Sequence, residues 1–257
     1  MKVNKLPIHV VAEIGVNFST LDEAQQMITY AWEAGAFGIK FQLFNEETIK
    51  DSPLKERLSK IILSEQNIED FNEHVKRLKL AFVLTPMYLE AIDLAAKYAD
   101  LIKIRFKDHE NQELIDKALD TGKTVLISVP YRPIGQYMYH PRIKWLYCVS
   151  RNGIALYPPE PEDFNLDVAA SCDGFSSHFS HTLFDLAYAI NRLPEEAYIE
   201  KHVMLDYPYD ISFSGTKFEK GSYKLSPIDE AVSINFHDLK ALMQNLKILE
   251  RMKRTRL

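Results

Sequence analysis

A chain of 257 residues with 46% hydrophobic and 26% charged residues is long enough to bury a large core and has no fibrous or disordered bias. Its formal charge of −5 argues against general nucleic-acid binding, two cysteines are too few for a disulfide framework, and no apolar run reaches the roughly 18 residues that span a bilayer. With no signal-peptide pattern at its start, the sequence predicts a soluble cytoplasmic protein acting on small molecules, without nucleic-acid or membrane partners.

In chain order, Ile8-His9-Val10-Val11-Ala12-Glu13-Ile14 reads as a strand, and Ser19-Thr20 opens a helix that runs to Ala34 and stops at Gly35. A second strand is expected at 37–43, then a polar excursion from Asn45 to Gln66 and a helix from about Ile68 to Leu78. Strands at 80–85 and 101–104 precede helices at 89–98 and 112–119. Between strands at 124–129 and 144–149, Pro130, Pro133, Gly135 and Pro141 leave no room for a helix, so one member of an outer ring should be missing. A short strand at 173–177, a helix at 182–192, a strand at 197–202 and a closing amphipathic helix near 228–252 complete the set. Eight strands in roughly 250 residues is the arithmetic of an α/β (β/α)8 TIM barrel, here a single domain over 1–257, with its functional rim at the C-terminal strand ends.

The polar residues at those ends are Glu13, Lys40 with Gln42, Thr85, Lys103, Ser128, Ser176 with His178, and Glu200 with His202. Strands buried on both faces should be almost wholly apolar, so lysines within Ile39-Lys40-Phe41 and Ile102-Lys103-Ile104 need a reason. An anionic ligand in the barrel mouth is one reason; carboxylate partners in the core, or a register displaced by one residue, are the others. Glu200-Lys201-His202 would send two charges and an imidazole from one strand end, and His178, 24 residues earlier, would bring a second imidazole to the same rim. The stripe Leu239, Leu242, Met243, Leu246 and Leu249 reads as core, and Arg251-Met252-Lys253-Arg254-Thr255-Arg256 as a solvated helix end. His140, His181 and His237 receive no role, and Tyr131, Tyr137 and Tyr139 form an aromatic cluster that suits either a pocket cap or a subunit contact, the latter favoured, which makes a homodimer an expectation to test.

The ordered set Val11-Ala12-Glu13-Ile14-Gly15-Val16-Asn17, Ile39-Lys40-Phe41-Gln42, Leu84-Thr85-Pro86, Lys103-Ile104, Thr121-Gly122-Lys123, Cys148-Val149-Ser150, Gly174-Phe175-Ser176-Ser177-His178 and Ile199-Glu200-Lys201-His202 resembles the sialic acid (N-acetylneuraminate) synthase family. The resemblance implies condensation of phosphoenolpyruvate with an aldehyde sugar, such as N-acetylmannosamine or a modified hexose, for surface polysaccharide biosynthesis. It further implies a divalent metal, manganese or magnesium, on His178 and His202, which would polarise the sugar aldehyde. Lys40, Thr85, Lys103 and Ser128 would hold phosphoenolpyruvate, Glu13 would serve as acid or base, Gln42 would face the sugar, and Ser176, Tyr157 and Asp206 would complete the substrate side. Lys40 and His202 count with Glu13 among the implied catalytic groups.

Departures from that pattern cluster on the substrate side. Arg105-Phe106-Lys107-Asp108 stands where the family has small residues, a serine and a glutamate, and Ser177 replaces an acidic neighbour of the histidine. Val129-Pro130-Tyr131 replaces Thr-Gly-Met, Arg151 to Leu156 intervenes before Tyr157-Pro158, and Gly215 to Gly221 shows no late Gly-Pro-Asp-His motif. No C-terminal antifreeze-like domain is legible. Two other readings therefore stay open: a TIM-barrel lyase or aldolase acting on another acid, and a non-catalytic ligand-binding descendant.

Overall fold

The strand pattern resolves into a closed parallel sheet. In the computed structural model, which describes residues 7–205 and 227–254, eight strands pair in chain order and the last returns to the first. They are β1 (Ile8–Gly15), β2 (Gly38–Leu43), β3 (Ala81–Pro86), β4 (Leu101–Ile104), β5 (Thr124–Val129), β6 (Ile143–Cys148), β7 (Gly174–Ser177) and β8 (Ala197–Met204). With helices on its outside, the chain is a (β/α)8 TIM barrel. The register sets Glu13 beside both Lys40 and His202, Gln42 beside Thr85, and Glu200 beside Ser176. A two-residue strand, Ile234–Asn235, extends the sheet from Val203 and Met204.

The outer helices are α1 (Leu21–Ala34), α2 (Glu65–Leu78), α3 (Ala91–Tyr98), α4 (Gln112–Asp120), α5 (Leu166–Ser171), α6 (Leu183–Arg192) and α7 (Phe236–Arg254). Thr20 and Glu23 form a capping box on α1, and Gly35, at φ 88°, ends it. The proline-rich stretch between β5 and β6 carries no helix, as its composition predicts. Several boundaries differ from expectation. Ser64 caps α2, starting it at Glu65 rather than Ile68. The excursion before it contains helical turns at Lys55–Leu58 and Ser59–Ile61, and six-residue α5 is too short to show a helical period in sequence. The closing helix starts at Phe236 rather than near 228, because Asn17 Oδ1 accepts from the Asp229 amide at 2.8 Å and Ser233 donates to the Asp229 carbonyl at 2.7 Å, folding this stretch into a turn and short strand.

Two apolar layers hold the barrel. Outside the sheet, strand residues such as Ile39, Phe82, Ile127 and Ile199 pack on the helices, including the α7 stripe of Leu239, Leu242, Met243 and Leu246. Inside it, Val11, Val83, Leu101, Leu126, Leu146 and Tyr198 form a separate plug. Side chains alternate along a strand, so the next inward positions are two residues on: Glu13, Thr85, Lys103, Ser128, Cys148 and Glu200. On the remaining two strands, Gly38 and Gly174 precede Lys40 and Ser176. A Cβ at Gly38 would lie 2.6 Å from the Ala81 carbonyl oxygen, and one at Gly174 would lie 2.7 Å from Leu146 Cγ, so the plug has no room for side chains there.

Lys201 has the opposite parity, which corrects the expected common exit of Glu200, Lys201 and His202. It leaves the barrel outward, where its ammonium pairs with Asp185 at 3.2 Å and donates to Ser177 Oγ at 3.1 Å and the His181 carbonyl at 2.9 Å. Both charged side chains are fully buried. Replacing Lys201 with Met leaves Asp185 buried without its cation, so chemical denaturation should show a loss of about 3–5 kcal/mol, with much of it recovered in Lys201→Met/Asp185→Leu.

Candidate active site at the barrel mouth

Above the apolar plug, the polar layer opens into a cleft of about 240 Å³. Lys40, Gln42, Thr85, Lys103, Ser128, Tyr157, Ser176, His178, Glu200 and His202 all line it, so the structure gathers ten of the polar residues singled out in sequence. Glu13 is fully buried behind them, ion-paired with Lys40 and accepting from Gln42 Nε2 at 3.1 Å. Gly15, at φ 35°, keeps that corner free: a Cβ there would meet Glu13 Oε1 at 2.1 Å and Gln42 Nε2 at 2.7 Å. Asp206 and residues 215–221 lie outside the described residues.

Glu200 is the electrostatic centre. One of its oxygens accepts from Ser176 Oγ at 2.9 Å, while the other stands 3.4 Å from the Lys40 ammonium and 3.8 Å from that of Lys103. Burial alone would raise this carboxyl, but Lys103 and Lys40 outweigh it and hold it at about 2. Both alternatives weighed for the strand lysines thus come together: each has a carboxylate partner, and each faces the cleft. Lys103 also donates to Ser128 Oγ at 2.7 Å and to the Ile104 carbonyl at 2.8 Å, and Lys40 donates to Thr85 Oγ1 at 3.3 Å. Desolvation lowers Lys40 to about 8, with Glu200 opposing it, and lowers Lys103 as well.

The two predicted imidazoles meet at the ends of β7 and β8, ring centroids 5.2 Å apart. Burial, with His202 second, holds His178 well below its ordinary range and therefore neutral, the form that can ligate a metal. Its Nδ1 lies 3.7 Å from Cys148 Sγ, and its ring lies 4.0 Å, centroid to centroid, from that of Tyr157. The buried Nδ1 of His202 makes no hydrogen bond, although an Asp229 carboxylate oxygen lies 3.3 Å away. Burial would raise Asp229, but the His202 imidazole outweighs it and keeps this carboxyl low. Sequence reading missed Asp229, which carries no motif. Its only signal was Asn17, whose side chain also donates to the Val203 carbonyl and Ser233 Oγ, both at 2.9 Å, tying the β1 exit to the β8 exit.

A family model described as the NeuB family matches residues 27–256. The chain belongs to the NeuB family. Among curated relatives, this NeuB-family chain is 26% identical over 263 residues to an uncharacterized protein of Methanocaldococcus jannaschii, covering 96% of the chain and 72% of that protein. It is 24% identical over 228 residues to the N,N'-diacetyllegionaminic acid synthase of Campylobacter jejuni, covering 77% and 67%. Among solved structures, the N-acetylneuraminic acid (sialic acid) synthetase of Leptospira borgpetersenii superposes with a TM-score of 0.76 at 21% identity, over 96% of this chain and 85% of that one, and shares the fold. Among the described residues, no helix is long and apolar enough to cross a membrane.

The lowered Lys40 gives this cleft a pH signature. Below about pH 8 its ammonium is already charged and can receive an oxyanion; above that pH a proton must first be taken up. Affinity for inorganic phosphate, measured by calorimetry, should fall by up to about tenfold per pH unit above pH 8, where the phosphate has finished its own ionisation. Lys40→Arg, whose cation does not titrate in this range, should lack the break.

Proposed function

We propose that this NeuB-family barrel condenses phosphoenolpyruvate with the aldehyde of an open-chain sugar, giving a 2-keto-3-deoxy sugar acid and inorganic phosphate for polysaccharide biosynthesis. The observation that carries the reading is the concentration of buried Lys40, Lys103 and Glu200 beside two facing imidazoles in one cleft. A ligand-binding descendant would not need four buried charges, Glu13 included, in the same layer. The chemistry requires C3 of phosphoenolpyruvate to attack the aldehyde carbon, the resulting alkoxide to take a proton, and water to add at C2 as phosphate leaves.

Each group then has a task its placement supports. Lys40 with Thr85 and Lys103 with Ser128 form two ammonium–hydroxyl clamps, suited to the carboxylate and phosphate of phosphoenolpyruvate. Ser176 fixes the Glu200 carboxylate between those clamps. Lys40, poised near pH 8 with Glu13 behind it, can hold or release the proton of the developing hydroxyl, so Glu13 contributes to acid–base work through Lys40. Gln42 and Tyr157 face the sugar from the rim, and the family resemblance assigns Asp206, outside the described residues, to the sugar side as well.

A divalent ion, manganese or magnesium, fits the donor set in part. Two imidazoles stand together, one of them neutral and the other with a buried nitrogen lacking a hydrogen bond. Among the described residues no group of three or more His, Cys, Asp or Glu side chains is placed to hold a metal, so His178 and His202 would be its protein ligands, with water and substrate oxygens completing the shell. The ion would supply Lewis-acid polarisation of the aldehyde and positive charge against a trianionic substrate.

Phosphate release from phosphoenolpyruvate, assayed with manganese and a panel of N-acetylated and deoxygenated hexoses, tests the reading. The expected result is release that requires one sugar, is abolished by chelation and disappears in His202→Ala. Bound phosphoenolpyruvate with no release across the panel would instead favour a lyase or aldolase acting on another acid.

A further inference from the structure

Arg105 occupies the position that alternation makes the next inward one above Lys103. The β4 strand ends at Ile104, but Arg105 keeps an extended backbone, φ −74° and ψ 164°, so its side chain continues the inward series. It lines the cleft and lies close enough to Lys103 for its charge to oppose that ammonium. At roughly 3.3 Å per residue, its Cα stands about 7 Å further along the chain direction than that of Lys103. A ligand with two anionic groups would span the two layers.

The guanidinium is incompletely used. Its Nε pairs with Asp108, and Nη2 lies 3.5 Å from the other Asp108 oxygen, at the limit of a hydrogen bond. Nη1 meets Met87 Sδ at 3.1 Å, and a thioether is a weak acceptor. Much of the planar donor fork is therefore without an oxygen partner among the described residues, although the side chain is only 32% exposed. The lysines below are differently placed: Lys40 pairs with Glu13 and Glu200, and Lys103 with Glu200. Arg105, by contrast, has its one carboxylate partner among the described residues, Asp108, on its own turn.

The surrounding turn is built to hold it. The Asp108 amide donates to the Arg105 carbonyl at 3.0 Å, and His109 Nδ1 lies 2.6 Å from the Phe106 carbonyl oxygen. Phe106 is buried and lines the same cleft. Charge-assisted pairing is stronger there than in open solvent.

We propose that Arg105 is a specificity-determining residue whose guanidinium binds a phosphate-type oxyanion of the ligand at the rim, one layer above Lys103. The inference rests on the condensing reading for the identity of that ligand. The oxyanion has two sources: the phosphate of phosphoenolpyruvate, or an anionic group on the acceptor sugar.

Calorimetry on the full chain with inorganic phosphate, and separately with phosphoenolpyruvate, tests it in Arg105→Met and Asp108→Asn. Arg105→Met should weaken phosphate binding by about tenfold or more, whereas Asp108→Asn, which frees the guanidinium, should bind phosphate as well as wild type or better. If the group belongs to phosphoenolpyruvate, Arg105→Met raises the KM for phosphoenolpyruvate and leaves that for sugar unchanged. If it belongs to the acceptor, phosphoenolpyruvate binding is retained and turnover shifts from phosphorylated or carboxylated aldoses toward neutral ones. Unchanged phosphate and phosphoenolpyruvate affinities with unchanged acceptor choice overturn the assignment. So does parallel loss of binding in both variants, which would make the pair a brace for the turn. Arg105-dependent phosphate binding without phosphate release from phosphoenolpyruvate would sink the condensing reading and keep Arg105 as an anion site. A wild type that binds no oxyanion refutes both.

Discussion

The mouth of this barrel depends on one buried carboxylate. Glu200 lies between the Lys40 and Lys103 ammonium groups, and without it Lys103 would lose its carboxylate partner and Lys40 would keep only Glu13. Desolvation pushes both lysines down, and Glu200 is the largest opposing influence on each. The carboxylate is itself held by Ser176 and kept ionised by the same lysines. The two lysines can thus keep their charge although both are buried.

That arrangement is reached by the pleat. A step of two residues from the apolar plug lands on the polar layer, and a further step of two lands on Gln42, Met87, Arg105, His178 and His202. The chemistry rises in layers, with hydrophobic burial setting the floor, buried charge the middle and imidazole, amide and guanidinium the rim. Gly38 and Gly174 belong to the same logic, since each leaves space for plug atoms beneath a functional side chain.

The layers are why so much was legible in the sequence. Glu13, Lys40, Thr85, Lys103, Ser128, Ser176 and Glu200 each interrupt a strand at the parity of its inward face, and His178 and His202 follow at the same parity. The same rule could have separated Lys201 from its neighbours, because odd and even positions leave opposite faces of a strand. Asp229 was not legible on these terms. It is brought to His202 by a turn that Asn17 holds from a distant strand, and no local period records such a contact. The start of α7 was misplaced for the same reason: helical periodicity before Phe236 yields to tertiary hydrogen bonds at Asp229 and Ser233.

Pairing of the strand lysines with carboxylates is open to a reading as mere core stabilisation, but the energetics favour a functional account. Buried ion pairs are commonly no more stable than apolar side chains of similar volume, so a scaffold gains little by placing Glu13, Lys40, Lys103 and Glu200 in one layer of a barrel whose layer beneath is wholly apolar. These four charges formally cancel, two against two. A multiply charged oxyanion entering the cleft would therefore need further positive charge, and the groups above the layer identify where it can come from: an ion between the two imidazoles, as proposed above, and a guanidinium whose fork is only partly occupied. The lower layer fixes position and geometry while the upper one completes the charge, so differences in ligand choice among barrels of this kind are expected at the rim, where Arg105 and Phe106 depart from the small residues of the resembling pattern.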